Sequence, residues 1–326
     1  MTRGGSHPPA DRWRAWRTLG PGAGLAFALL ILLAALSLGI SDPPLVRATR
    51  VFSVWLLSLP ALLLPSPAWL ERARQWVAIP AGRWLWAALL LGAILPDRLL
   101  RGSPSELFGP ALYAGAALLL TADRPRSGDP IRRDLAIVAL LWLPLELKWM
   151  SGDFILLRLF GLDLLFLLYL IERPVLRPGR IVPVRASELA WGTGAFAVFL
   201  VPAVPFALAT GFATPGLRES SLGGWALFVL LTFWVIALPE EALFRGLMQT
   251  LLKRALGSPW WALAIASILF GLSHLNNGPA PDWRYVLLAT MAGAAYGIAY
   301  LKTGNLAAPI LTHFLLDLTW RGFFAR

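Results

Sequence analysis

The chain has 326 residues, 57% hydrophobic and 14% charged, with a mean hydropathy of +0.65. A soluble domain carries nearer a quarter charged residues, so the composition predicts a polytopic membrane protein and excludes a soluble domain with one anchor. With no cysteine, disulfides, thiolate metal sites and a Cys nucleophile are excluded together, and sortase-like or exosortase-like chemistry with them. A net charge of +11 would suggest nucleic acid in a soluble protein. Here the arginines fall in loops, as retained cytoplasmic loops require, and nucleic-acid binding is set aside. An Ala- and Arg-rich, cysteine-free composition reads as bacterial and assigns the chain to an inner (cell) membrane.

Met1 to Arg17 is polar and Arg-rich, and 21–40 is apolar. No convincing small-residue cleavage site follows, and the stretch is long enough to span, so it is read as a first transmembrane helix with Trp13 and Trp16 as interfacial anchors. Further apolar segments run over 51–66, 84–96, 108–122, 134–147, 154–171, 188–210, 223–256, 260–275, 285–302 and 306–322. The expected fold is an all-α transmembrane bundle of about nine to eleven spans; the third and fourth segments are short enough to be re-entrant or interfacial.

Arginines mark alternate loops: Arg12, Arg14 and Arg17; Arg72, Arg74 and Arg83; Arg124, Arg126, Arg132 and Arg133; Arg173, Arg177, Arg180 and Arg185. This predicts a cytoplasmic N-terminus and six spans before residue 172. The Pro- and Arg-rich stretch from Glu172 to Arg185 reads as a surface linker. It divides an N-terminal membrane region, 1–186, from a core, 187–326, that carries the candidate chemistry. In the sixth segment, Arg158 and Asp163 are read as packing or helix-end residues that pair with each other or with Glu146, with a place on a substrate path as the lesser alternative.

Glu240 and Glu241 follow the long apolar run Trp225 to Pro239. Ionisable groups inside a bilayer are rare, face the protein interior and by default mark function. The text after Glu240 is good helix sequence until Gly257-Ser258-Pro259 breaks it. Glu240 then lies within one long helix that Pro239 is positioned to kink. Glu241 and Arg245, four apart, share a face in the favourable order for an ion pair. Glu240 points about 100° away and is left free to face a site. Glu240 and His274 each lie seventeen residues from Gly257. In an antiparallel helix pair that places them in one layer, about 25 Å from the turn. His313 and Asp317, four apart in the last segment, share a face, with Pro309 one turn before. A buried carboxylate can act as general base on water, an imidazole beside it can hold that water, and a second imidazole can stabilise an oxyanion. Together these groups describe amide or ester hydrolysis by activated water.

The residues Glu240-Glu241-x-x-x-Arg245, Phe270-x-x-x-His274 and His313-x-x-x-Asp317 resemble the CPBP family of intramembrane proteases, the CAAX proteases and bacteriocin-processing proteins. Three ordered matches within about eighty residues make the signal specific, and it covers about 187–326. The resemblance implies an intramembrane endopeptidase with Glu240 as general base, His274 as its water-positioning partner, and His313 with Asp317 on the oxyanion side. Glu241, Arg245 and Phe270 are support. Its partners would be the bilayer and a peptide or membrane-protein substrate. One Glu and two His also suit a zinc ion with an open position; the glutamate-type reading is preferred and no cofactor is assigned. Position 317 is Asp where the family commonly has Asn, and an ionised Asp cannot donate to an oxyanion; it is either protonated or orients His313. The family core usually has a further helix after the third motif; either an N-terminal helix replaces it or the core is trimmed. The alternative class is a non-catalytic immunity or scaffold protein of the same fold. A transporter using the same charges would need a polar path through several helices, and the spans before residue 171 offer few polar groups. Charge alternation places Arg245, Lys253 and Arg254 inside, whereas analogy with CAAX proteases puts the His274 end nearest the cytoplasm, and both orientations stay open.

Overall fold

The computed structural model describes residues 42–325 except 64–66, 80, 122–130, 151–152, 174, 177–183, 276 and 278–280. The expected first span at 21–40, its Trp13 and Trp16 anchors and most of the Pro/Arg linker lie outside the described residues.

Among the described residues the chain forms eleven helices: α1 (Pro44–Leu63), α2 (Pro67–Ala78), α3 (Gly82–Leu100), α4 (Phe108–Leu120), α5 (Ile131–Glu146), α6 (Phe154–Glu172), α7 (Ala186–Ala209), α8 (Leu222–Leu256), α9 (Pro259–Leu272), α10 (Trp283–Thr303) and α11 (Ala307–Phe323). The all-α expectation holds. The extended backbone within these helices' connections is a two-residue antiparallel pair, Thr214–Pro215 with Phe324–Ala325, which ties the end of α11 to the loop after α7. Among the described residues, four helices, α6, α7, α8 and α10, are long and apolar enough to cross a membrane. The pair α2–α3, bent by 112°, adds a fifth if it counts as one broken span. The count of nine to eleven is therefore approximate, because it includes helices that are shorter or more charged. The third segment, α3, belongs to that bent pair, and the fourth, α4, is a short apolar helix.

Local chemistry sets the ends of the core helices. Gly257 closes α8 in the left-handed conformation (φ 68°), Ser258 Oγ accepts from the Trp261 N–H at 3.4 Å, and Pro259 opens α9. Asp153 caps α6 by accepting from the N–H groups of Ile155 and Leu156. The helix α8 is continuous, but Thr232–Ala237 and Ala242–Gln249 are wide π-helical turns. Pro239, which has no N–H to donate, follows the first of these turns, so the helix runs on instead of ending there.

The core is built from α7 to α11, with α6 packed beside α8. The α6 window is mostly buried, and Leu156, Leu159, Phe160 and Leu164 are fully enclosed. The boundary at 186 therefore does not isolate the two regions: Trp234 of α8 donates from Nε1 to Ser58 Oγ of α1 at 3.0 Å, and α6 reaches the core directly. The helices α9 and α10 approach closely at Gly271. A Cβ added there would stand 1.9 Å from Thr290 Oγ1 and 2.7 Å from the Val286 carbonyl oxygen. The backbone oxygen cannot move aside cheaply. Gly271→Val should therefore destabilise the protein by about 1–3 kcal/mol, read as a lowered Tm in detergent; an unchanged Tm would remove this contact as a determinant of the pair.

Candidate active site

Three of the core helices bring the expected residues to one place. Glu240, His274, His313 and Asp317 all line a cavity of about 410 Å³, together with Arg158, Arg321 and a wall of aromatic side chains. Phe270 lies beneath both imidazoles, with ring centroids 4.8 Å from His274 and 5.7 Å from His313.

Each imidazole is oriented by its Nδ1. In His274, two residues beyond the end of α9, Nδ1 lies 2.8 Å from the Phe270 carbonyl oxygen. A carbonyl only accepts, so Nδ1 carries the proton and Nε2 of the neutral ring is an acceptor. Ser273 Oγ sits 3.1 Å from the same nitrogen. The short α9 makes this possible: fourteen residues span about 21 Å, less than a hydrocarbon core, so its C-terminal turn falls at depth. In His313, fully inside α11, Nδ1 is 2.8 Å from Glu241 Oε1. Its Nε2 stands 3.9 Å from both Glu240 Oε2 and Asp317 Oδ1. Tyr296 stacks on the ring at 4.6 Å and 12°, which fixes its plane.

Glu241 and Arg245 are fully buried and joined at 3.1 Å. Arg245 also donates from Nη2 to the Gly293 carbonyl at 3.0 Å and lies over the Phe270 and Tyr296 rings at 4.6 and 5.0 Å. Gly293 leaves little room at this approach: an added Cβ would come 3.2 Å from the Ser267 Cα and 3.3 Å from Arg245 Nη2. Glu241 is thus more than half of an ion pair, because it also holds His313.

One expectation is corrected here. Glu240 is not left free: Arg158 of α6 donates from Nη1 to its Oε1, which leaves Oε2 toward His313. Arg158 is therefore a site residue and not a packing or helix-end residue. It pairs with neither Asp163 nor Glu146; the two Asp163 oxygens, fully buried, have no hydrogen-bond partner among the described residues. The available signal was one arginine within an apolar segment, but an 82-residue separation carries no partner information. Asp317 has a cation of its own, Arg321, at 3.3 Å, and its Oδ1 stands 3.9 Å from His313 Nε2.

Among the described residues no three His, Asp or Glu side chains group so as to hold a metal ion. The guanidinium on Glu240 opposes a cation there, so the donor set does not fit the zinc alternative and no step is derived through a metal.

Residues 222–319 match the family model described as type II CAAX prenyl endopeptidase, Rce1-like. The match is consistent with a CPBP-type core. It runs from α8 to α11 and contains all three motifs, in an integral membrane protein. The chain is also similar to two curated proteins. The uncharacterized protein YpbD of Bacillus subtilis (strain 168) is 32% identical over 83 residues, 26% of this chain and 38% of its own length. An uncharacterized 24.3 kDa protein of Escherichia coli is 29% identical over 167 residues, 47% of this chain and 73% of its own. The chain thus covers well under half of the Bacillus relative. No solved structure gives a significant match. Arg158 lies outside the CPBP match, in the N-terminal region.

Proposed function

We propose that this protein is an intramembrane endopeptidase that hydrolyses a peptide bond with water activated by Glu240. The observation that carries the reading is the convergence of Glu240, His274, His313 and Asp317 on one cavity of peptide-accommodating size. In the first step a water held between Glu240 Oε2 and His274 Nε2 attacks the scissile carbonyl carbon and gives its proton to Glu240. The carbonyl oxygen becomes an oxyanion, which His313 stabilises from Nε2. In that role His313 donates from both nitrogens and is an imidazolium, with Glu241 and Asp317 as counter-charges on its two sides. Asp317 is the orienting acceptor, held by Arg321, and is not an oxyanion donor. Collapse of the tetrahedral intermediate breaks the C–N bond, and Glu240 passes the proton to the departing amine. One water is consumed, and one carboxyl and one amino terminus are produced.

The substrate is a peptide precursor or a membrane-protein segment. The chain lies in the bacterial inner membrane with its N-terminus in the cytoplasm, as the loop arginines favour. The test is a comparison of protein termini in membranes of the native host, wild type against Glu240→Gln at matched protein level. Termini present only in the wild type are expected and would name the substrate. Identical termini, with any phenotype preserved in the variant, would replace this reading by a non-catalytic immunity or scaffold role.

A further inference from the structure

A second cavity of about 60 Å³ lies on the other side of the Arg158–Glu240 pair. In a largely apolar interior it is lined by six polar side chains: Glu146, Arg158, Glu240, Ser273, His274 and Asn277. Four of these, Arg158, Glu240, His274 and Asn277, also line the large cavity, so Glu240 and His274 stand at the partition between the two spaces. Glu146 stands at the far side, half-buried in the last turn of α5, directly before the exposed Leu147 and Trp149. It is close enough to feel the charges of both Glu240 and Arg158. A water takes about 30 Å³ of liquid volume and needs two to four polar partners, so the space suits about two waters.

Hydrolysis within a membrane has a supply problem. A peptide seated in the large cavity, against its aromatic wall, covers Glu240 and His274 from that side. We propose that the small cavity is the water compartment of the site: hydrolytic water enters beside Glu146, between α5 and α6, and reaches Glu240 and His274 from behind the substrate. This rests on the endopeptidase reading for its purpose, but not for its test. It gives the N-terminal region a task at the site, because two of its helices form the compartment.

The chain has no cysteine, so a single introduced thiol reports alone. Leu162 is buried and lines the small cavity but not the large one. Leu162→Cys in the full-length protein in bilayer nanodiscs would be reacted with a small, water-borne methanethiosulfonate reagent. Only a thiolate reacts, so the rate reports hydration at that position. Two plugs are then compared: Leu145→Trp, which fills the small cavity, and Leu288→Trp, which fills the large one. The expected result is modification of Leu162→Cys that slows by about tenfold or more with Leu145→Trp and changes less than about twofold with Leu288→Trp. No modification of the thiol, or slowing by Leu288→Trp alone, would overturn the compartment. If a tryptophan prevents folding, judged by size-exclusion profile, Leu145→Phe and Leu288→Phe replace it. The expected labelling in a protein without Glu240-dependent termini would keep the compartment and remove the protease reading.

Discussion

Arg245→Met should lose about 3–5 kcal/mol of stability and most of the folded yield. The reason is what it leaves behind. Glu241 and Arg245 are fully enclosed, and the arginine also donates to the Gly293 carbonyl at 3.0 Å. Removing it strands a carboxylate and a backbone oxygen in a medium without water, where an unpartnered polar group is expensive. The methionine would fill much of the volume over Phe270 and Tyr296 but supply none of the hydrogen bonds. Glu241→Gln added to Arg245→Met should recover part of the loss, since a neutral amide strands no charge and can still accept from His313. Tm and monodispersity of the purified variants would decide it. A single variant as stable as the wild type would show that the pair is not structural, and equal losses in the single and double variants would show that the stranded charge is not the cause.

The second large effect is on turnover. His313→Ala should slow the appearance of Glu240-dependent termini by about 10²–10³-fold, the loss expected when one oxyanion donor is removed. The protein should still fold, because Glu241 keeps Arg245 and the deletion is confined to the wall of a cavity. His313→Gln, which restores an N–H donor of similar reach, should recover part of the rate. The measurement is the initial rate of terminus formation in membranes. Ala and Gln variants of equal rate would mean that His313 only packs against Tyr296.

Much of this protein was legible from local patterns, for reasons that are themselves local. A long apolar stretch must form a helix in a bilayer, because no water is there to satisfy the backbone. The edges of α8 and α9 follow from Gly257, Ser258 and Pro259, whose backbone preferences need no partner. The meeting of Glu241 with Arg245 is a matter of helical spacing, and the shared depth of Glu240 and His274 is a matter of rise per residue on either side of one turn. Those rules hold whatever the helices pack against.

What the tertiary structure alone decided has the opposite character. The rotation of α8 depends on two π-helical turns that no sequence period announces. The pairing of Arg158 with Glu240 joins helices 82 residues apart, and an arginine in an apolar helix does not say which carboxylate it meets. The double use of Glu241, by Arg245 and by His313, arises because α11 lies against α8 at that level. Residue type and spacing determined that charges would be buried in this protein and that most would share a layer. Their partners were set by the azimuth of each helix about its axis, which is fixed by the packing of many side chains at once and not by the residues that do the chemistry.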